Sequence, residues 1–190
     1  MTDEKFVILA SLQRYKMKLH PSSFPYTRWL VCVIGLVVLP SCIKQEHFSD
    51  IPEITYRDFI RVYDTGQYAI QGYLSFNFQD GDGDIGLNPK DTFPPYERGG
   101  DYYYNLVINY FEKQQGIWVE IVLDPPYSVR IPVLNPDDPG KAIKGFIVDT
   151  LELNPSPIYD TIKFEFFIYD RALNQSNILA TPEIPLKRPA

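Results

Sequence analysis

The chain has 190 residues, of which 45% are hydrophobic and 15% aromatic, enough to build the core of one domain with short extensions. Its formal net charge of −6 argues against a nucleic-acid binder, because no basic stripe is present to neutralise phosphates. The two cysteines, Cys32 and Cys42, both lie near the N-terminus, which excludes a disulfide framework, a zinc finger or a thiol active site in the remainder.

The first 41 residues have the layout of an export signal. Four basic residues between positions 14 and 28 precede the apolar run WLVCVIGLVVL at 29–39, which is shorter than the roughly 20 residues of a spanning helix. The sequence LPSC at 39–42 is similar to a bacterial lipobox, and this resemblance implies cleavage before Cys42 and a diacylglycerol on that cysteine. A buried core helix or an uncleaved anchor is the alternative interpretation, and Met17 is an alternative start.

This layout predicts three parts: a signal segment at 1–41, a lipidated tether at 42–52 and a folded domain at 53–190. Two or more acyl chains hold a protein stably on a bilayer. We therefore expect a lipid-anchored protein whose first partner is the membrane itself. The KQE sequence at 44–46 resembles the signals that send some Bacteroidota lipoproteins to the outer face, and this resemblance implies the outer membrane, on its periplasmic or its outer face.

Residues 51–190 show the period-2 alternation of half-buried strands and no helical periodicity. The predicted strands cover 54–64, 67–79, 102–112, 117–123, 127–134, 142–153, 161–169 and 178–186. Turn signals separate them every 8 to 12 residues or so, a spacing typical of an antiparallel sandwich or barrel. The predicted core comprises Ile70, Leu74, Phe76, Phe78, Ile108, Ile121, Ile147, Phe164, Phe166 and Ile168. In the first strand, we expect Ile54, Tyr56, Asp58, Ile60 and Val62 to share one side.

The stretch DGDGDIG at 80–86 is not explained by folding needs alone. Residues at i, i+2 and i+4 of an extended chain share one face, so Asp80, Asp82 and Asp84 either repel one another into solvent or share a cation. Oxygen ligands at this spacing suit Ca²⁺. The candidates to complete its shell are Asp91, Asp149, Asp160 and Asp170. The alternative is a solvated Asp-Gly turn between two strands.

The segment YDRALNQS at 169–176 resembles the turn that precedes the last strand of many bacterial immunoglobulin-like domains. Together with the lipobox and the DGDGDIG motif, it resembles a family of Bacteroidota surface lipoproteins to which no activity is assigned. This resemblance implies an immunoglobulin-like β-sandwich exposed at the cell surface, and it implies no reaction.

Catalytic residues are scarce in this sequence. His20 would be removed with the signal and His47 lies in the tether, so neither a Ser-His-Asp nor a Cys-His arrangement is expected in the domain. The aromatic residues at 102–104, Trp118 and Tyr127 could form a sugar platform, although packing in strands is the commoner use. We expect a non-enzymatic binding or accessory module for a glycan or a surface protein. A purely structural envelope protein and a carboxylate-based glycan-active enzyme are the alternatives.

Overall fold

The structure is a computed structural model that describes residues 48–154 and 157–188. The predicted signal segment, Cys42 and the first half of the tether lie outside these residues. The described residues form eight strands and no helix, so this part of the chain has no helix that could cross a membrane. The strands are β1 (Glu53–Tyr63), β2 (Ala69–Asp80), β3 (Leu106–Gln114), β4 (Ile117–Ile121), β5 (Ile143–Glu152), β6 (Thr161–Ile168), β7 (Leu179–Ala180) and β8 (Ile184–Pro185).

The strands form two antiparallel sheets that pack face to face. One sheet has the order β1-β2-β5; the other has the order β4-β3-β6-β7, and β8 also pairs with β6. The prediction of an all-β sandwich of seven or eight strands is therefore confirmed. The immunoglobulin-like subclass stays a prediction.

The core lies between the sheets, because alternate residues of β2 and β6 are apolar and point the same way. The Phe76 ring of one sheet meets the Phe166 ring of the other, with centroids 5.2 Å apart. Seven of the ten predicted core residues are buried here, and Ile147 packs partly buried against them. Ile70 and Ile121 lie outside the core cluster.

Strand β1 does not keep the single inward face that its sequence pattern predicts. A register shift between Tyr56 and Asp58 marks a bulge, after which the alternation is displaced by one residue. Ile60 is consequently 54% exposed, and Phe59 points inward to stack on Phe164. The absence of a side chain at Gly72 makes room for Phe59, since a Cβ there would lie 2.0 Å from the ring.

The predicted strand at 127–134 is wrong, since this segment makes only isolated bridges. Val129 exchanges two backbone hydrogen bonds with Leu106, and the Asn105 side chain bonds both the N–H and the carbonyl of Ile131. Pro132 has no N–H to continue a ladder. The single last strand predicted at 178–186 is also wrong, because it divides into the two short strands β7 and β8.

The outer edge of β1 is closed by the second half of the chain. The Asn177 side-chain amide accepts from the Ile54 N–H and donates to the Ile54 carbonyl, as a neighbouring strand residue would. Farther along, the Arg61 guanidinium donates to the Pro185 carbonyl. These contacts join the two sheets along one side of the sandwich.

Candidate metal centre

The DGDGDIG loop begins where β2 ends, and its hydrophobic residue fixes it to the core. Ile85 is fully buried, and its carbonyl accepts from the Leu134 N–H at 3.2 Å. Gly83 has φ +68°, and a Cβ there would lie 2.0 Å from the Lys141 carbonyl oxygen. The loop therefore requires glycine at position 83. The buried Ile85 side chain holds the three aspartates in a fixed place.

Asp80, Asp82 and Asp84 come together as the sequence predicts. One carboxylate oxygen of each lies within 4.8 Å of those of the other two. The loop is curled rather than extended, because the Asp84 N–H donates to Asp80 Oδ2 at 2.9 Å. Asp80 is fully buried, whereas Asp82 and Asp84 are partly exposed.

Two carboxylate oxygens of this cluster, Asp80 Oδ1 and Asp82 Oδ1, are buried and have no hydrogen-bond partner among the residues that the structure describes. Leaving a buried acceptor unsatisfied costs about 1–3 kcal/mol, and more for a charged group. Native proteins almost always give such atoms a partner. These oxygens belong to the carboxylates that crowd together, so a cation would satisfy both and offset their mutual repulsion.

A second loop, at 170–174, packs against the first through Asp84. The Arg171 and Ala172 N–H groups donate to the two oxygens of Asp84, at 3.3 and 3.1 Å. Asp170 is 2% exposed, and its two oxygens accept from the N–H and the side-chain amide of Asn174, at 2.7 and 2.8 Å. Asp170 therefore adds a fourth carboxylate beside the cluster, and it is buried as Asp80 is.

The pKa values of these carboxyl groups express the crowding. Burial, and then the charges of Asp82 and Asp84, raise the pKa of Asp80 to about 7. Burial, followed by the charges of Asp170 and Asp82, raises the pKa of Asp84 to about 6. Burial also raises the pKa of Asp170. In each case the ionised form lacks the compensation that a nearby cation provides.

Asp91, the other predicted ligand, contacts Arg171 instead of the cluster. Its Oδ2 accepts from the Arg171 guanidinium at 2.5 Å and from the Asn88 N–H at 2.7 Å. This hydrogen bond to Arg171 lowers the pKa of Asp91. Asp91 thus ties the long loop at 88–104 to the 170–174 loop, and its role as a ligand stays a prediction.

Arg130 is a positioning residue that the sequence pattern does not reveal. Its guanidinium donates to the carbonyls of Tyr103 at 2.7 Å, Asp91 at 2.9 Å and Asn88 at 3.3 Å. The planar fork of arginine suits such divergent acceptors. It holds the long loop beside the aspartate cluster, and a lone arginine in a predicted edge strand gave no signal of this role.

The other candidate residues do not join this centre. Asp149 lies on β5, with Oδ2 buried and unpartnered, and the Asp160 carboxylate accepts from the hydroxyl of Thr161 at 3.2 Å. The predicted aromatic platform is divided. Tyr102 packs on Tyr169, while Tyr127 packs on Phe164 in the core.

No protein-family model, no curated protein and no solved structure matches this chain.

Proposed function

We propose that this chain is a lipid-anchored outer-membrane protein whose β-sandwich is stabilised by Ca²⁺ and serves as a non-enzymatic binding or accessory module. Calcium binding is supported by two buried oxygens that lack a hydrogen-bond partner, Asp80 Oδ1 and Asp82 Oδ1, in a cluster of three carboxylates. A cation bound there supplies the partner that both oxygens lack.

The ligand chemistry favours calcium. Ca²⁺ takes six to eight oxygen ligands and accepts irregular geometry, whereas Zn²⁺ prefers nitrogen and sulfur ligands and Mg²⁺ demands a strict octahedron. The cluster offers only carboxylate oxygens. Asp80 and Asp82 would bind through their unpartnered oxygens, while Asp84 and Asp170 add negative charge from positions fixed by backbone donors.

The ion would act on stability rather than on a reaction. The oxygens of Asp84 accept from N–H groups of the 170–174 loop, and Asp170 accepts from Asn174 within that loop. The centre therefore joins two loops at one end of the sandwich. A ligand that binds only the native state stabilises it by about 2.7 kcal/mol at a hundred times its dissociation constant. Calcium would therefore raise the free energy of unfolding and hold both loops in place.

Thermal melting in EDTA and in millimolar calcium tests the metal site. We expect calcium to raise the Tm of the wild type and to leave the Tm of Asp82→Asn unchanged. Asp64→Asn is the matched control, because Asp64 is exposed at the opposite end of the β1–β2 hairpin and should keep the calcium shift. Equal shifts in wild type and Asp82→Asn would refute the site.

The anchoring part of the proposal rests on the N-terminal sequence, with Cys42 as the lipidated residue. Mass spectrometry of membrane-extracted protein should find the mature N-terminus at Cys42 carrying diacylglycerol. An intact, unmodified peptide covering 29–42 would refute it. The proposed partner of the binding module is a glycan or a surface protein. Binding to a member of a purified glycan panel would distinguish a binding module from a purely structural protein.

A further inference from the structure

The long edge strand β5 stands apart from the other sheet edges. The edge of β1 is bridged by Asn177 and Arg61, and β4 is only five residues long. Strand β5 has ten residues and, within residues 48–154 and 157–188, pairs with β2 on one side only. A long unpaired edge is a template for pairing with another strand.

The hydrogen-bond pattern defines which backbone groups face outward. Leu153 donates its N–H to the Ile70 carbonyl, at the continuation of the β2–β5 register. Hydrogen-bonded positions alternate along an antiparallel strand, so the odd-numbered residues of β5 bond β2. The even-numbered residues therefore direct their N–H and carbonyl groups to the outer edge, and their side chains lie on the exposed face.

The exposed side chains of these even-numbered residues read Lys144, Phe146, Val148, Thr150 and Glu152. This order is self-complementary about its centre. If two copies of β5 pair antiparallel at Val148, Lys144 faces Glu152 of the second copy, Phe146 faces Thr150, and Val148 faces Val148. Opposite charges and aromatic–β-branched pairs are the cross-strand combinations that stabilise sheets.

We propose that β5 is the interface of a two-fold symmetric dimer, in which the β1-β2-β5 sheets of two copies join into one six-stranded sheet. Charge selects the register. A slip of two residues in either direction leaves Lys144 opposite Thr150 or Asn154 and separates it from Glu152 of the second copy. The same residue pairs occur twice by symmetry, as an isologous interface requires.

Exposed apolar side chains on the same face of β5 agree with a second copy of the chain as the partner. Phe146 is 60% exposed and Val148 is 52% exposed, although both lie in a regular strand. Pairing would cover both side chains from the edge. Asp149, on the inward face, takes the Thr150 N–H with its carboxylate, which removes one edge donor in each copy and leaves those of Phe146 and Val148 for the partner strand.

Sedimentation equilibrium of the full-length protein in a density-matched neutral detergent tests the interface. We expect a monomer–dimer equilibrium that Val148→Lys weakens by about tenfold or more, because it sets like charges directly opposite each other. Ile60→Lys is the matched control. Ile60 is β-branched, 54% exposed and on the same sheet, but on β1, so this variant should dimerise as the wild type does.

A charge swap tests the register. Lys144→Glu and Glu152→Lys should each weaken dimerisation by about tenfold, since each turns two attractive pairs into repulsive ones. The double variant should recover the wild-type dissociation constant. A monomeric wild type, an unaffected Val148→Lys dimer, or a double variant weaker than both singles would each overturn the proposal. Association through the N-terminal apolar run would not respond to these variants and would overturn it as well.

Discussion

Replacing Asp80 with Asn should stabilise the domain in the absence of calcium and weaken it relative to wild type in its presence. Asn has nearly the same shape as Asp and carries no charge. Its oxygen can still accept from the Asp84 N–H, and its amide group can donate to the neighbouring carboxylates. The variant therefore removes the repulsion but also removes an ionised ligand.

The size of the effect follows from the pKa of Asp80, which rises from 3.8 to about 7 in the folded protein. One pKa unit corresponds to 1.36 kcal/mol, so the ionised Asp80 destabilises the calcium-free fold by about 4 kcal/mol above pH 7. Because the folded-state pKa is raised, the folded state binds the proton more tightly. The stabilising contribution of protonated Asp80 to the calcium-free fold is therefore fully present below about pH 4 and is lost as the pH rises through about 7.

Urea denaturation at about pH 7.5, in EDTA and in calcium, measures both effects. In EDTA the variant should unfold at a higher urea concentration than wild type. Calcium at more than about a thousand times its dissociation constant stabilises the wild type by more than about 4 kcal/mol, so the order should then reverse, because the variant lacks this binding free energy. Asp64→Asn should behave as wild type in both buffers. An Asp80→Asn variant that is less stable than wild type in EDTA would refute the reasoning.

Three further predictions address the core and the loops. Burial raises the pKa of Asp149, so Asp149→Asn should raise the Tm at neutral pH. Near pH 3 the wild-type carboxyl is protonated in both the folded and the unfolded state, so the variant and the wild type should then have similar Tm values. Phe164→Ala should lower the free energy of unfolding by about 3–5 kcal/mol in urea titration, and Phe167→Ala, on the outer face, by clearly less. Arg130→Lys keeps the charge but loses the fork, and should speed limited proteolysis within 88–104 without moving the calcium shift.

Much of the fold could be predicted because β2 and β6 alternate strictly and each has one buried face. The predicted strands are wrong where a side chain, instead of a neighbouring strand, bonds the backbone. Asn105 bonds the Ile131 backbone on both sides, and a polar residue before a strand does not reveal such a partner in the sequence. The bulge after Tyr56 could not be predicted either, because it depends on the space above Gly72 in the neighbouring strand.

The aspartate cluster could be predicted for a reason that is only partly correct. The i, i+2, i+4 spacing predicts that Asp80, Asp82 and Asp84 share one face of an extended chain. The structure brings them together by curling the loop, with Gly83 at a positive φ and Ile85 buried. The contribution of Asp170 depends on the packing of a loop some 90 positions later, which local spacing does not encode.

The start of the described chain has a mechanical consequence. The Ser49 carbonyl accepts from the Gly81 N–H at 2.7 Å, so the chain enters the sandwich directly beside the aspartate loop and continues into β1. Tension on the chain from the N-terminal side of Phe48 would reach this hydrogen bond before it reaches the β1–β2 ladder, which begins at Glu53. The loop that gathers the carboxylates is thus also the first point where tension on the N-terminal segment reaches the fold.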